Sequence, residues 1–186
     1  MSDTTPQFRS PVVATYPTDP AAELTLRDES AMTKVVIRAA SGTPARASLA
    51  QVFAGSRTSG DVLIAGTRPD EWMLLGPASA VQERLDDMPT DGHVSIVDWT
   101  HSRAQFRLSG ASATSALEKV CGLDWSDHLM PNGAVTSGSV AMVTCDLIRN
   151  DVDATPSYLV MCDRSFGQYL FESLIDAGSE FDLSVA

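Results

Sequence analysis

Two successions of short β-branched runs and helical spacings follow one another in the same order, and this recurrence limits the fold more than any other feature of the chain. In the first, Lys34 to Arg38 is a β-branched strand, and Pro44 suits the first turn of a helix capped by Ser41 or Thr43. Leu49, Val52 and Phe53 share a face of that helix, which Gly55 and Gly60 end. Asp61 to Ala65 and Glu71 to Leu75 read as strands joined through the turn residues Gly66 to Asp70. Val81, Leu85 and Met88 place a helix over 79–88, and His93 to Asp98 returns as a strand.

The second succession starts five residues later. Arg103 to Ser109 alternates, with Ala104, Phe106 and Leu108 inward and Gln105 and Arg107 outward. A helix over 111–120 follows, with Gly122 as its C-cap, then a loop over 123–136. Residues 139–149 read as one long strand, 150–155 as an acidic turn and 157–162 as the returning strand. Phe166, Tyr169, Leu170 and Leu174 mark a helix capped by Ser165, and 181–185 is a last strand.

Each half therefore reads β-α-β-β-α-β. The fold class is α+β: two tandem ferredoxin-like halves, about 31–98 and 103–186, each an antiparallel sheet with helices on one face. Together they make a single domain over 31–186. Residues 1–30 form an extended N-terminal arm, because Pro6, Pro11, Pro17 and Pro20 each disfavour helix at the residue before them. Phe8, Val12, Val13 and Tyr16 give the arm apolar handles, compatible with an arm laid across a partner subunit or with a disordered tail.

Bulk properties exclude several functions. The formal net charge of -11 repels nucleic acid and anionic membranes. No stretch nears the roughly 20 apolar residues that span a bilayer, and no signal peptide is evident, so a cytoplasmic protein is expected. Cys121, Cys145 and Cys162 fit no ligand spacing and, being three, no disulfide framework; buried free thiols are expected. His93, His101 and His128 are scattered, so no metal site is expected. Glycine-rich dinucleotide and phosphate-cradling motifs are missing, so no cofactor is expected on this chain.

Between the halves lies Asp98-Trp99-Thr100-His101-Ser102. It holds the residue types of a Ser-His-Asp triad, but within one tight turn and without a Gly-x-Ser-x-Gly elbow. Turn chemistry, with Asp98 and Thr100 bonding nearby amides and His101 packed as a connector, is the preferred reading. No catalytic residue is assigned. Trp125, in a loop, suits stacking on a ligand or partner, and Asp98 or Asp124 suits an amine or pterin ring, though nothing in the spacing requires it. Asp98, His101 and Trp125 are the candidate ligand residues, and the resemblance described next implies folate as that ligand.

The same central stretch carries a resemblance. Val97-Asp98-Trp99-Thr100-His101-Ser102-Arg103-Ala104, followed by Leu108-Ser109-Gly110, resembles the Asp-x-Ser/Thr-His motif and following strand-Ser-Gly of the aminomethyltransferase (glycine-cleavage T protein) superfamily. Arg9-Ser10-Pro11, Pro69 to Leu75 and Arg164-Ser165-Phe166 are similar to one branch of it, the gamma-subunit family of heterotetrameric sarcosine oxidase. The resemblance implies a folate-binding-domain-like fold and a non-catalytic gamma subunit that assembles with alpha, beta and delta subunits. It implies that the complex oxidises sarcosine to glycine and hydrogen peroxide, with formaldehyde or methylenetetrahydrofolate as the other product. FAD, FMN, NAD, tetrahydrofolate and zinc are then implied for the partner subunits. The chain is half the length of full aminomethyltransferases, and Lys119-Val120-Cys121-Gly122 departs from the Lys-Gly-Cys-Tyr motif of the superfamily's iron-sulfur assembly branch. Two alternatives stay open: a stand-alone folate-binding or one-carbon-transfer protein, and a gamma-like subunit of a related N-methyl amino acid dehydrogenase.

Overall fold

A computed structural model describes residues 7–19, 22–50 and 53–186. Residues 1–6, 20, 21, 51 and 52, and with them the readings made at Pro6, Pro20 and Val52, lie outside the described residues.

The strands and helices in chain order are β1 (Leu24–Asp28), β2 (Thr33–Ala39), α1 (Pro44–Leu49), β3 (Ser56–Ser59), β4 (Val62–Arg68), β5 (Glu71–Gly76), α2 (Ala78–Asp86) and β6 (Val94–Asp98) in the N-terminal part. The C-terminal part holds β7 (Arg103–Gly110), α3 (Ala113–Glu118), β8 (Val135–Val140), β9 (Val143–Arg149), β10 (Ser157–Asp163), α4 (Gly167–Gly178) and β11 (Leu183–Val185). They form a five-stranded sheet, β3-β4-β5-β2-β6, and a six-stranded sheet, β11-β1-β7-β10-β9-β8. Without β3, β8 and β1, each sheet has the ferredoxin-like order in which the half's first strand lies between its last and its third. The α+β class and the two similar halves are therefore as the periodicity implies.

Alternation along the strands decides the layers. In β2, Val35, Ile37 and Ala39 pack with Ala45 and Leu49 of α1 and Val81 of α2. The intervening Val36 faces the other way and joins Met73 and Leu75 against Ile148, Leu159 and Met161 of the second sheet. The second sheet repeats this: Phe106 and Leu108 pack beneath Leu117 of α3 and Leu170, Phe171 and Leu174 of α4. The result is four layers, helices–sheet–sheet–helices, with apolar groups on both faces of each sheet.

Several local expectations change. Leu24–Asp28, read as part of the arm, is a strand between β11 and β7, pairing Leu24 with Gly110 and Leu26 with Leu108. Its BiBei burial puts Leu24 and Leu26 in the core. The described arm lies on its own chain: Val13 N–H donates to Gln168 Oε1 at 2.8 Å, and the Tyr16 and Phe171 rings are 5.5 Å apart.

α1 ends at Leu49 because Ala50 turns left-handed, leaving Phe53 exposed and freeing β3 to pair with β4. Thr43, of the two candidate caps, accepts from Arg46 N–H. The expected long strand over 139–149 is a hairpin of β8 and β9, turning at Ala141 (φ 47°) and Met142 (φ 69°). Such a turn normally selects Asn or Gly. Here the Ala141 N–H donates to Val120 O and the Tyr169 hydroxyl to Ala141 O, so tertiary bonds hold what the local sequence does not specify. α3 stops at Glu118 with Lys119, not Gly122, at its C-cap, and Ser165 lies in a short 3-10 turn rather than capping α4.

Candidate functional site

The turn joining β6 to β7 is built from backbone bonds. The Trp99 N–H donates to Lys34 O at 2.8 Å, and the Ser102 and Arg103 amides donate to Trp99 O. Asp98 accepts the Thr100 amide at 2.7 Å, while Thr100 Oγ1 accepts the Lys34 amide at 3.1 Å. Partial burial works to raise the Asp98 pKa. The Thr100 hydroxyl and amide, with the charges of His101 and Lys34, outweigh it and hold the carboxyl below its ordinary value. Ser102 Oγ donates to Trp99 O at 3.1 Å, and its carbonyl accepts the Arg164 amide. The His101 ring stacks at a tilt on Phe8, 5.6 Å away. No hydrogen bond among the described residues runs from Asp98 to His101 or from His101 to Ser102. The three triad residue types have separate partners, and the turn is a connector.

Trp125 belongs elsewhere. It is buried in the core of the second half, edge-on to Tyr158 at 5.2 Å. Its indole N–H has no partner. The candidate set Asp98, His101 and Trp125 is therefore divided between a surface turn and a core. Among the described residues, no group of three or more His, Cys, Asp or Glu is arranged to hold a metal ion. All three cysteines are free and buried.

The polar chemistry that the sequence reading missed lies between the sheets. Lys34 is solvent-inaccessible, and its ammonium donates to Ser30 O and Met32 O, each at 2.8 Å. Burial lowers its pKa to about 8; Asp28, Asp98 and Glu29 oppose this only in part. Arg107 Nε donates to Glu29 at 2.7 Å, and its Nη1 reaches Asn150 and Ser157 Oγ. Gln105 is 1% exposed, and its Oε1 has no partner. Gln105, Arg107 and Asn150 line an inter-sheet cavity of about 330 Å³ with Met32, Leu63 and Leu159. The signal for this site was the outward alternation of Gln105 and Arg107. It reads as a solvent face unless a second sheet is known to cover it.

Comparison with known proteins gives this arrangement a context. Residues 27–186 match the model of the GCVT N-terminal domain. The chain belongs to the GCVT N-terminal domain family. Within solved structures, the GCVT N-terminal domain fold seen here is similar to a chain of the heterotetrameric sarcosine oxidase from Corynebacterium sp. U-96, crystallised with pyrrole 2-carboxylate. That likeness has a TM-score of 0.74 and 24% identity, covering 87% of this chain and 88% of that one. It is also similar to the glycine cleavage system aminomethyltransferase T from Bartonella henselae, with a TM-score of 0.66 and 15% identity over 89% of this chain but only 48% of that one. Both are likenesses of fold. No curated protein matches the sequence significantly.

Proposed function

We propose that this chain is a non-catalytic gamma subunit of a heterotetrameric, flavin-dependent sarcosine oxidase, serving assembly and stability of the complex with alpha, beta and delta partners. The carrying observation is the reciprocal coverage: the chain matches 88% of one chain of a heterotetrameric sarcosine oxidase, against 48% of an aminomethyltransferase that is a longer single chain. The separate engagement of Asp98, His101 and Ser102 supports a structural role for the central turn. On this reading FAD, FMN, NAD, tetrahydrofolate and zinc belong to the partner subunits, which carry out the oxidative demethylation of sarcosine. A gamma-like role beside a dehydrogenase of another N-methyl amino acid draws on the same observations.

The competing reading, a stand-alone folate-binding or one-carbon-transfer protein, draws on the unpartnered Gln105 Oε1 in the inter-sheet cavity. That cavity is at the small end of ligand pockets, which run from about 300 to 1,000 Å³. Arg107, the cation that would meet a folate carboxylate, is already bonded to Glu29, Asn150 and Ser157. That prior engagement of Arg107 supports the subunit reading over the folate-binding one.

Co-expression with alpha, beta and delta sarcosine oxidase chains tests the proposal. The expected result is co-purification in fixed stoichiometry with a yellow flavoprotein. A chain that stays colourless and separate from all three sinks the subunit reading. In calorimetry the isolated chain is expected to give no heat with tetrahydrofolate, and tight binding would favour the competing reading.

A further inference from the structure

β6 is an edge strand of the first sheet, five residues long, whose one charge, Asp98, stands at its end. It pairs with β2 through an unbroken register, Val35 to Ala39 against Asp98 to Val94, without a bulge. Its sequence, Val94-Ser95-Ile96-Val97-Asp98, contains no lysine, proline or glycine. Natural edge strands are normally blunted by such charges, prolines or bulges, because open amides and carbonyls recruit another strand. Residues 95–98 are all exposed, and Ile96 and Val97, on opposite faces, are each 41% exposed. Val94 packs against the helix-side core, whereas Ile96 and Val97 stay largely open, and the outer edge of β6 takes no strand among the described residues.

Beside it lies a positively biased groove in a chain of net charge -11. Arg38, directly across from Ser95, and Arg68 both pair with the single carboxylate of Glu71. The two arginine side chains are 57% and 53% exposed, whereas Glu71 is 3% exposed, so two guanidiniums share one buried negative charge. The groove, about 620 Å³, is lined by Arg38, Arg68, Asp70, Glu71, His93 and Ser95 among others; Asp70 brings a second carboxylate, which is paired with Arg46, so the three arginines exceed the two carboxylates by one charge. Directly opposed residues of paired strands share a face, so Arg38 and Ser95 point the same way. A strand added outside β6 would lie about 10 Å from β2, two inter-strand spacings away. Ser95 is the small residue between them, and a glutamate on the added strand reaches over it towards Arg38.

We infer that β6 and the Arg38–Arg68 groove together form a docking edge for one extended segment of a partner chain, apolar where it meets Ile96 and Val97 and acidic where it meets the arginines. The segment adds a sixth strand to the first sheet. Backbone pairing supplies the affinity and the carboxylate fixes the register. The inference relies on the subunit reading only for the source of the strand.

The isolated chain tests it with two blocked seven-residue peptides, one alternating valine with glutamate and one valine with lysine. The glutamate peptide is expected to bind at least about tenfold more tightly than the lysine peptide, to weaken with added salt, and to slow hydrogen exchange of the β6 amides. Ile96→Lys, at an exposed position, is expected to abolish binding while leaving the urea midpoint near wild type. Arg68→Gln is expected to reduce the preference for glutamate. Equal binding of both peptides, no binding, or protection away from β6 overturns the inference. So does a chain that self-associates through this edge, seen as a dimer in sedimentation that Ile96→Lys dissociates. These outcomes are independent of co-purification with sarcosine oxidase subunits, so either proposal can fail alone.

Discussion

Gly110→Ala should be among the costliest single-methyl additions in this molecule. Gly110 ends β7 opposite Leu24, with φ at +143°, a conformation that side chains rarely adopt. An added Cβ would lie 2.9 Å from Leu24 Cα and closer still to Glu23 O, both of them backbone atoms. No rotamer change relieves such a contact, so β1 must move. Backbone strain of this kind costs about 1–3 kcal/mol, and overpacking adds about 1–3 kcal/mol more. The expected loss is therefore about 4 kcal/mol, from a total stability of roughly 5–15 kcal/mol for a domain. At this chain length that corresponds to a fall in Tm of about 8–16 °C. Gly60→Ala is the matched comparison, with φ at +58° but open space around the new methyl. It should cost only about 1–2 kcal/mol, the left-handed penalty alone. Urea denaturation of both variants, with m held in common, separates them. Equal losses would refute the argument that β1 is seated against Gly110.

Lys34→Met should show a pH-dependent difference from wild type. The folded ammonium titrates near 8 and the unfolded one near 10.5, so between those values the unfolded chain holds a proton that the native chain has released. Wild-type stability then rises with pH across that window, and the burial cost is fully present below about pH 8. The stability of the variant relative to wild type should fall by on the order of 3 kcal/mol from pH 7 to pH 10.5, and a flat difference in urea melts would contradict it. Burial pushes the Cys145 and Cys162 thiols up to about 12, and Cys121 is also buried. An aromatic disulfide reagent at pH 8 should therefore label none of the three until denaturant is added, whereas rapid native labelling would show an opening that exposes them. Ser102 should stay unmodified by a fluorophosphonate probe, since its hydroxyl donates to Trp99 O, and labelling would revive a nucleophilic role.

The sequence was most informative where one periodicity ran unbroken. Ala104, Phe106 and Leu108 alternate into the core as their spacing implies, and the β5 and β10 strands were plain from their apolar runs. It misled where long-range contacts override local preference. Ala141-Met142 carries no turn signature, and bonds to Val120 and from Tyr169, with the Val140–Val143 pairing, hold it bent. β1 was hidden because Leu24-Thr-Leu-Arg-Asp28 follows a proline-rich stretch and has partners far away in sequence, at 106–110 and 183–185. In the central turn the short-range bonds expected of Asp98 and Thr100 are present, on the Thr100 and Lys34 amides, whereas His101 is exposed rather than packed. The inter-sheet polar set was illegible because Gln105 and Arg107 read as outward-facing until two sheets are stacked over them. Trp125 lies in a loop as read, but a tryptophan in a loop gives no local sign that it will be buried against Tyr158.

The placement of β1 also has a consequence for synthesis on the ribosome. Leu24 and Leu26 emerge early, but their antiparallel partner at 106–110 is made about eighty residues later, and the parallel partner at 183–185 later again. The first sheet has all its strands once residue 98 is clear of the exit tunnel, whereas the second must wait for both early and late segments. Until then an apolar strand without its mates is open to wrong pairing, the hazard of contacts distant in sequence. A fragment beginning at residue 31 would have an intact first sheet and a second sheet split between β11 and β7. Slow release or chaperone capture of the nascent chain would thus serve β1 before anything else.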